Sequence, residues 1–309
     1  MTAAELRAPS LSIGRRLLHD PIAIVAIVVI AGLALTSVAA PFLVAQNPYD
    51  PAQLDVLDAE IPPVWQQGGE WRFPLGTDAQ GRDMLSAILF GTGISLIIGL
   101  LAVVIQAVLG ITIGVFAGYR GGRWDTFFLR LADIQLSLST LMVAIVALAI
   151  FQAIFGTERF GLLAVPMLVL VIGIAEWPHF ARTVRGSVLA EREKDYVTAA
   201  KALGLGPPRI ILRHILPNIA SPILVVATLQ VANAIMAEAA LSFLGLGMPV
   251  TQPSLGALIR SGFELIFSGV WWITVLPALV LIVLILSINL IGDFLRDALN
   301  PKLDPASEP

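Results

Sequence analysis

The chain has no cysteine, only three histidines and little charge. Without thiols it can form no disulfide, no cysteine-bound zinc site, no iron–sulfur cluster and no thiol nucleophile. No GxxxxGK[ST] run occurs, so the sequence carries no phosphate-cradling loop of an ATPase, and no HExxH, GxSxG or GxGxxG motif is present. Charged residues are 13% of 309, against about 25% in soluble globular proteins. That excludes one or two soluble domains, which length alone would suggest. The net charge of −3 decides little, because in so apolar a chain the placement of charges matters more than their sum.

What is present is apolar: 57% of residues are hydrophobic and the mean hydropathy is +0.86. A helix needs about 20 apolar residues to cross the hydrocarbon core. Charge-free stretches of that order lie between Asp20 and Asp50, Asp83 and Arg120, Asp133 and Glu158, Arg159 and Glu176 (running on through Trp177 to Phe180), Arg213 and Glu238, and Glu264 and Asp293. They predict an all-α membrane protein of six spans, the second over roughly Ile94 to Ala117. A seventh uncharged stretch, Ala239 to Ile259, is broken by Gly245, Gly247, Gly256, Pro249, Pro253 and the polar Thr251-Gln252. Irregular backbone at membrane depth needs protein or water to satisfy it, so a re-entrant or surface-lying loop is expected there. The first span follows Arg15-Arg16 and ends near Ser37-Val38-Ala39-Ala40, in the manner of a signal peptide. Its apolar run from Ile22 to Ala40 exceeds a signal peptide's core, and Asp20-Pro21 reads as an N-cap with proline at the first helical position, so an uncleaved anchor is expected.

Basic residues set the orientation. With six spans and the N-terminus inside, 15 of the 19 Lys and Arg residues fall on the cytoplasmic side and four, Arg72, Arg82, Arg159 and Arg260, outside; flipping the topology inverts the split, so the positive-inside rule places both termini in the cytoplasm. His19, His179 and His214 then lie on or near the cytoplasmic side and can form no metal site facing outward. The spans show none of the intramembrane acid and histidine chains of proton-coupled pumps. The layout expected is a cytoplasmic segment 1–20, a first transmembrane helix 21–45, an outer loop 46–90, a core 91–299 with five spans and a cytoplasmic loop 181–218, and a short, polar cytoplasmic tail 300–309. No internal repeat or low-complexity segment is evident.

The loop 181–218 holds seven of the 19 basic residues together with Glu191, Glu193 and Asp195. Glu191 to Leu203 reads as one helix. Gly204 fits the position after its C-cap, where positive φ is wanted, and Gly206-Pro207-Pro208 forbids continuation. A second short helix restarts at the prolines and runs through Arg209 to His214, until Pro217 ends or kinks it. Two short helices joined at a glycine turn make a rigid knob, with the small Ala199 and Ala200 permitting close approach of another backbone.

The spacing of Ala199-Ala200, Gly204 and Leu216-Pro217 resembles the "EAA" coupling loop of bacterial ABC importer permeases. Thr198 stands where that motif's glutamate usually sits, and His214 where an isoleucine usually sits. Both departures are similar to the dipeptide/oligopeptide/nickel branch, in which RHxLPN, here Arg213-His214-Ile215-Leu216-Pro217-Asn218, is common; they put in doubt any salt bridge that needs the missing glutamate. Leu75-Gly76-Thr77-Asp78-Ala79-Gln80-Gly81-Arg82-Asp83 resembles the LGTDxxGRD signature of the C-type permease of peptide importers, and Glu238 to Gly247 the family's outer segment after the fifth span. The resemblance covers almost the whole chain after the first span. It implies the type I ABC importer permease fold and a docking role for Thr198, Ala199, Ala200, Gly204, His214, Leu216 and Pro217. The implied partners are a second homologous permease, two ATP-binding subunits, an extracytoplasmic substrate-binding protein, a peptide substrate and membrane lipid, with no nucleic acid. The implied setting is the bacterial inner membrane.

Asp78, Asp83 and Glu238 are candidates for the substrate path. The spacing of the two aspartates matches no metal-ligand set, and Thr77-Asp78 reads first as a helix N-cap before an interfacial helix. Gly110, Gly114 and Gly118 make a small-residue stripe that packs against another helix, in this chain or in a second permease. The expected function is ATP-driven import of di- or oligopeptides by a subunit with no cofactor and no catalysis of its own. The alternatives are nickel, an opine or a glutathione-like solute as cargo and, from a different class, an ion-coupled secondary transporter.

Overall fold

A computed structural model describes residues 13–44, 46–249 and 251–299. Among these the structure is helical, with an isolated antiparallel bridge between Thr77 and Asp83 in place of any sheet. The expectations for residues 1–12 and 300–309 fall outside the described residues.

The chain enters through α1 (Ile13–His19) and turns at Asp20, whose carboxylate accepts hydrogen bonds from the N–H groups of Ile22 and Ala23 and so caps α2 (Pro21–Leu43) with proline at its start. After the outer loop comes α3 (Met84–Arg120), whose 37 residues reach about 55 Å at 1.5 Å per residue. That exceeds the roughly 30 Å of hydrocarbon, so α3 projects beyond the membrane. Next are α4 (Gly122–Ser137) and α5 (Thr140–Phe155), joined at 89°. Charge explains the corner: α4 carries Arg123, Asp125, Arg130 and Asp133, while α5 carries none. The apolar arm of this bent pair is therefore the 16-residue α5, shorter than the uncharged stretch from Asp133 suggested. α6 (Thr157–Ala175) and α7 (Trp177–Arg192) meet at a 41° bend on Glu176. The loop elements α8 (Asp195–Ala202), α9 (Pro207–Ile210) and α10 (Leu216–Asn218) precede α11 (Ala220–Phe243); α12 (Leu255–Phe263) and α13 (Trp272–Ala298) complete the chain. Four helices, α2, α3, α11 and α13, are long and apolar enough to cross a membrane, and the two bent pairs raise the number to six.

The stretch 239–259 does not span. α11 ends at Phe243, the chain turns through Gly245 (φ 81°), and after an irregular passage Ser254 caps α12, accepting from the Ala257 N–H at 3.4 Å.

Two apolar clusters hold the spans together. One joins α3, α5, α6, α7 and α11 around Ile98, Leu148, Leu168, Ile172 and Phe180; the other joins α3, α11, α12 and α13 around Met84, Ile235, Leu255, Ile273 and Leu284. The glycine stripe of α3 packs within this chain, against α7. A β-carbon on Gly110 would sit 2.4 Å from the Phe180 Cβ and 2.7 Å from the Trp177 carbonyl oxygen, and one on Gly114 2.7 Å from the Ala181 carbonyl oxygen. Only glycine allows backbones this close. By contrast α2 stands at the rim, with 11% of its apolar window buried against 28–39% for the other three long helices, which leaves most of it uncovered by the rest of the chain.

Both described ends share one face of the bundle: an Arg16 guanidinium N–H donates to the Ala298 carbonyl at 3.3 Å and the Ser221 hydroxyl to the Leu299 carbonyl at 3.5 Å. The loop 193–218 lies on that face too, leading directly into α11. The opposite face is built from residues 46–83 and 244–271, joined where the Trp272 indole N–H donates to the Thr77 carbonyl at 3.0 Å.

Candidate functional site

The loop on the first face is a small folded unit. The predicted single helix from Glu191 to Leu203 is two: α7 ends at Arg192, and α8 begins at Asp195. The break is held by Glu191, which accepts from the Lys194 ammonium at 2.5 Å and from the Tyr196 hydroxyl. Arg192 reaches back to the Gly118 carbonyl at 2.9 Å, fastening the break to the end of α3.

α8 ends in a Schellman cap. Gly204 has φ 77°, its N–H donates to the Lys201 carbonyl at 3.0 Å, and the Leu205 N–H donates to the Ala200 carbonyl at 3.2 Å. The second helix is not regular either. α9 opens into a π-turn over Ile211–Ile215 before α10. Pro217 explains this: it offers no N–H to the Arg213 carbonyl, and its ring would crowd that carbonyl in a regular helix. Asn218 closes the passage by donating to the His214 carbonyl at 2.7 Å.

Beneath the loop Val184, Val188, Val197, Ala200, Ile210, Ile215 and Ile219 form a separate apolar cluster. This divides the expected docking residues. Ala200, 5% exposed, packs inward and is not available to a partner, because the amphipathic turn of α8 points it with Val197 at α7. Thr198, Ala199, Gly204 and Pro217 are exposed, while His214 and Leu216 are half-buried. Two side chains that sequence reasoning missed stand out: Leu203 is 81% and Leu212 64% exposed. They lie in a polar loop, where only the fold reveals that the cluster leaves them uncovered.

On the opposite face the LGTDxxGRD segment folds as a tight hairpin. The Thr77 hydroxyl donates to the Asp58 carbonyl at 2.6 Å and accepts from the Ile61 N–H at 2.8 Å. Asp78 Oδ1 accepts from the N–H groups of Gln80 (2.8 Å) and Arg82 (2.9 Å). Neither residue caps a helix. The cap of α3 is Asp83, which accepts from the Ser86 N–H at 2.9 Å and from the Ser86 hydroxyl. Gln46 ties the hairpin to the end of α2: its amide donates to the Gln53 and Gly81 carbonyls and accepts from the Asp83 N–H at 2.6 Å. Burial holds the Asp78 carboxyl above its ordinary pKa, against the opposing pull of the Arg82 N–H, the Arg82 guanidinium and the Gln80 N–H.

Glu238 is fully buried near the end of α11. It accepts from the Ser95 hydroxyl of α3 at 2.8 Å and the Ser242 hydroxyl at 2.7 Å, and is hydrogen-bonded to Ser254, the cap of α12. The carboxyl thus ties three helices where the chain turns back. Asp78, Asp83 and Glu238 are all buried in internal bonds, and the structure does not gather them at one point. Deeper in the bundle lies a polar set that motif reading missed. The Gln230 amide donates to Gln106 at 3.3 Å and to Glu176 at 3.2 Å, and Asn233 donates to Gln230 at 2.8 Å. Single amides inside apolar runs carry no spacing signal.

Residues 110–305 match the family described as binding-protein-dependent transport system inner membrane component, and residues 11–63 match the N-terminal transmembrane domain of oligopeptide transport permease C. The chain belongs to this permease family. Among its relatives, the dipeptide transport system permease protein DppC of Haemophilus influenzae is 36% identical over 281 residues, covering 91% of this chain and 90% of that one. The di/tripeptide transport system permease protein DppC of Pseudomonas aeruginosa is 40% identical, covering 84% and 82%. The permease also resembles a solved inward-facing structure of the MetNI methionine ABC transporter, with a TM-score of 0.56 and 18% identity over 70% of this chain and 98% of that one. That likeness concerns the fold, which is the type I ABC importer permease fold.

Proposed function

We propose that this permease forms half of the path through which an ATP-driven importer moves di- and oligopeptides. A second, homologous permease completes the path, two ATP-binding subunits dock on the loop 193–218, and an extracytoplasmic binding protein delivers the cargo. The observation that carries the reading is the loop itself: a capped, separately packed knob that leaves Leu203 and Leu212 uncovered on the basic face. These exposed leucines on an otherwise charged projection are side chains that a docked ATP-binding subunit would cover. The names of the relatives support peptide as the cargo. The basic face is cytoplasmic by the distribution of Lys and Arg.

The mechanism is alternating access. ATP binding draws the two ATPases together, and they carry the docked loops with them. A rigid knob passes that motion on because its cluster, Schellman cap and tie to Gly118 resist deformation. α7, gripped along its length by the glycine face of α3, transmits the movement into the spans, and the outer face opens to receive cargo. Hydrolysis resets the inward-facing state. The permease contributes no covalent step.

The test is uptake of labelled dipeptide into vesicles, with ATP and a pH gradient supplied separately. The complete complex should import with ATP, and the lone chain should neither import nor hydrolyse ATP. Gradient-driven uptake by the lone chain would replace this reading with an ion-coupled transporter.

A further inference from the structure

A cavity of about 510 Å³ opens on the outer face, between the Asp78–Arg82 hairpin, the turn after α11, and α12. Its volume lies in the range of small-ligand sites, roughly 300–1,000 Å³. Four charged side chains line it: Asp78, Arg82, Arg260 and Glu264. The first two answer each other. Both are buried, and the Arg82 Nε lies 3.7 Å from Asp78 Oδ2.

Arg260 and Glu264 are different. They stand one helical turn apart, at the end of α12 and on its C-cap, yet neither forms a hydrogen bond or ion pair with the other or with any described residue. The Arg260 guanidinium is seated against the backbone of Gly245. That residue has φ 81°, and a β-carbon there would fall 1.3 Å from Arg260 Nη1. Any side chain at 245 would expel the guanidinium from its place in the cavity. A free guanidinium presents a planar fork that matches a carboxylate, and the free Glu264 carboxylate matches an ammonium. The four charges sum to zero, as do those of a zwitterion.

We infer that this cavity is a receiving subsite for a short peptide, with Arg260 taking the α-carboxylate and Glu264 the α-ammonium. The inference rests on the peptide-import reading above and adds to it the residues that first meet the cargo.

The chain's lack of cysteine allows a direct test. In the complete importer, Ala257→Cys, with Ser261→Cys as a second position, places one thiol in the permease at the cavity. Its rate of reaction with a methanethiosulfonate reagent is followed with and without a dipeptide, its C-terminal amide and its N-acetyl derivative. The free dipeptide should slow labelling at least about fivefold, and the two blocked peptides should protect much less. Arg260→Gln should abolish protection and Arg260→Lys should keep part of it. Equal protection in Arg260→Gln, or none in the parent, overturns the subsite. Dipeptide uptake by the unlabelled complex is measured in parallel: uptake without protection removes the subsite alone, and absent uptake removes the import reading.

Discussion

Leu203 offers the sharpest separation of docking from folding. Its backbone serves α8, with its N–H bonded to the Ala199 carbonyl at 3.0 Å, but its side chain is 81% exposed. Leu203→Ala keeps the backbone bond and removes almost no internal packing, so the permease's own stability should change by no more than about 0.5 kcal/mol. If an ATPase groove covers the side chain, docking removes most of a leucine from water, worth about 1.5–3 kcal/mol in full. Alanine keeps the β-carbon, so the loss should be about 1–2 kcal/mol, or roughly 5- to 30-fold weaker docking. Leu203→Asp should weaken it further by burying an unpaired carboxylate. Ala200→Asp is the contrasting case. The same charge enters the loop's own cluster, with an effective cost of several kcal/mol, and should unfold the loop. The assay is titration of the ATP-binding subunits against permease complexes held in lipid nanodiscs, with thermal melting of each variant in parallel. Docking of Leu203→Ala and Leu203→Asp as tight as the parent, at unchanged melting temperature, would refute the placement of the interface.

Gly110→Ala should destabilise the permease by about 1–3 kcal/mol through overpacking, because the added carbon meets the Trp177 and Ala181 backbone atoms, which cannot rotate away; Gly32→Ala, with nothing within 4 Å, should be harmless, and melting curves of the two variants compare them. The raised pKa of Asp78 means its ionised form is disfavoured in the fold. Its contribution is therefore fully favourable below the ordinary aspartate pKa and is lost as pH rises through the raised value, so Asp78→Asn should flatten the pH dependence of hydrogen exchange in residues 46–83. A single cysteine at Leu57, which is 90% exposed, should react with an impermeant thiol reagent in intact cells, whereas one at Arg209 should react only after permeabilisation; the reverse pattern would invert the topology.

The helical membrane class, the sites of the spans and the boundaries at Asp20, Gly204 and Pro217 were legible in the sequence because they are local. Hydrocarbon thickness sets the length of an apolar run, a carboxylate before a proline caps a helix, and a glycine supplies positive φ, whatever else the chain does. The family could also be read from residues 75–83, 196–218 and 238–247, because those motifs are contiguous. Local reading failed where two distant segments meet. Whether Ala199 or Ala200 faces outward depends on which side of α8 lies on Val184 and Val188, and spacing alone leaves that open. The apolar arm of the α4–α5 pair shortened because α4 keeps its charges out of hydrocarbon and is fastened to α7 by the Asp125–Arg185 and Asp133–Arg182 pairs, partners some 50 to 60 residues apart.

By itself, then, the sequence determined that the chain crosses a membrane, where its long apolar stretches lie, and which loop projects. These follow from transfer free energy and backbone sterics acting within a few residues. Only the tertiary structure decided that the glycine face of α3 meets α7 inside one chain, that Glu238 is a buried tie among three helices, and that Arg260 stands over Gly245 beside Glu264 with no ion-pair partner among the described residues. Each depends on which surfaces come within contact distance after packing, and packing energies act between neighbours in space, whatever their separation along the chain.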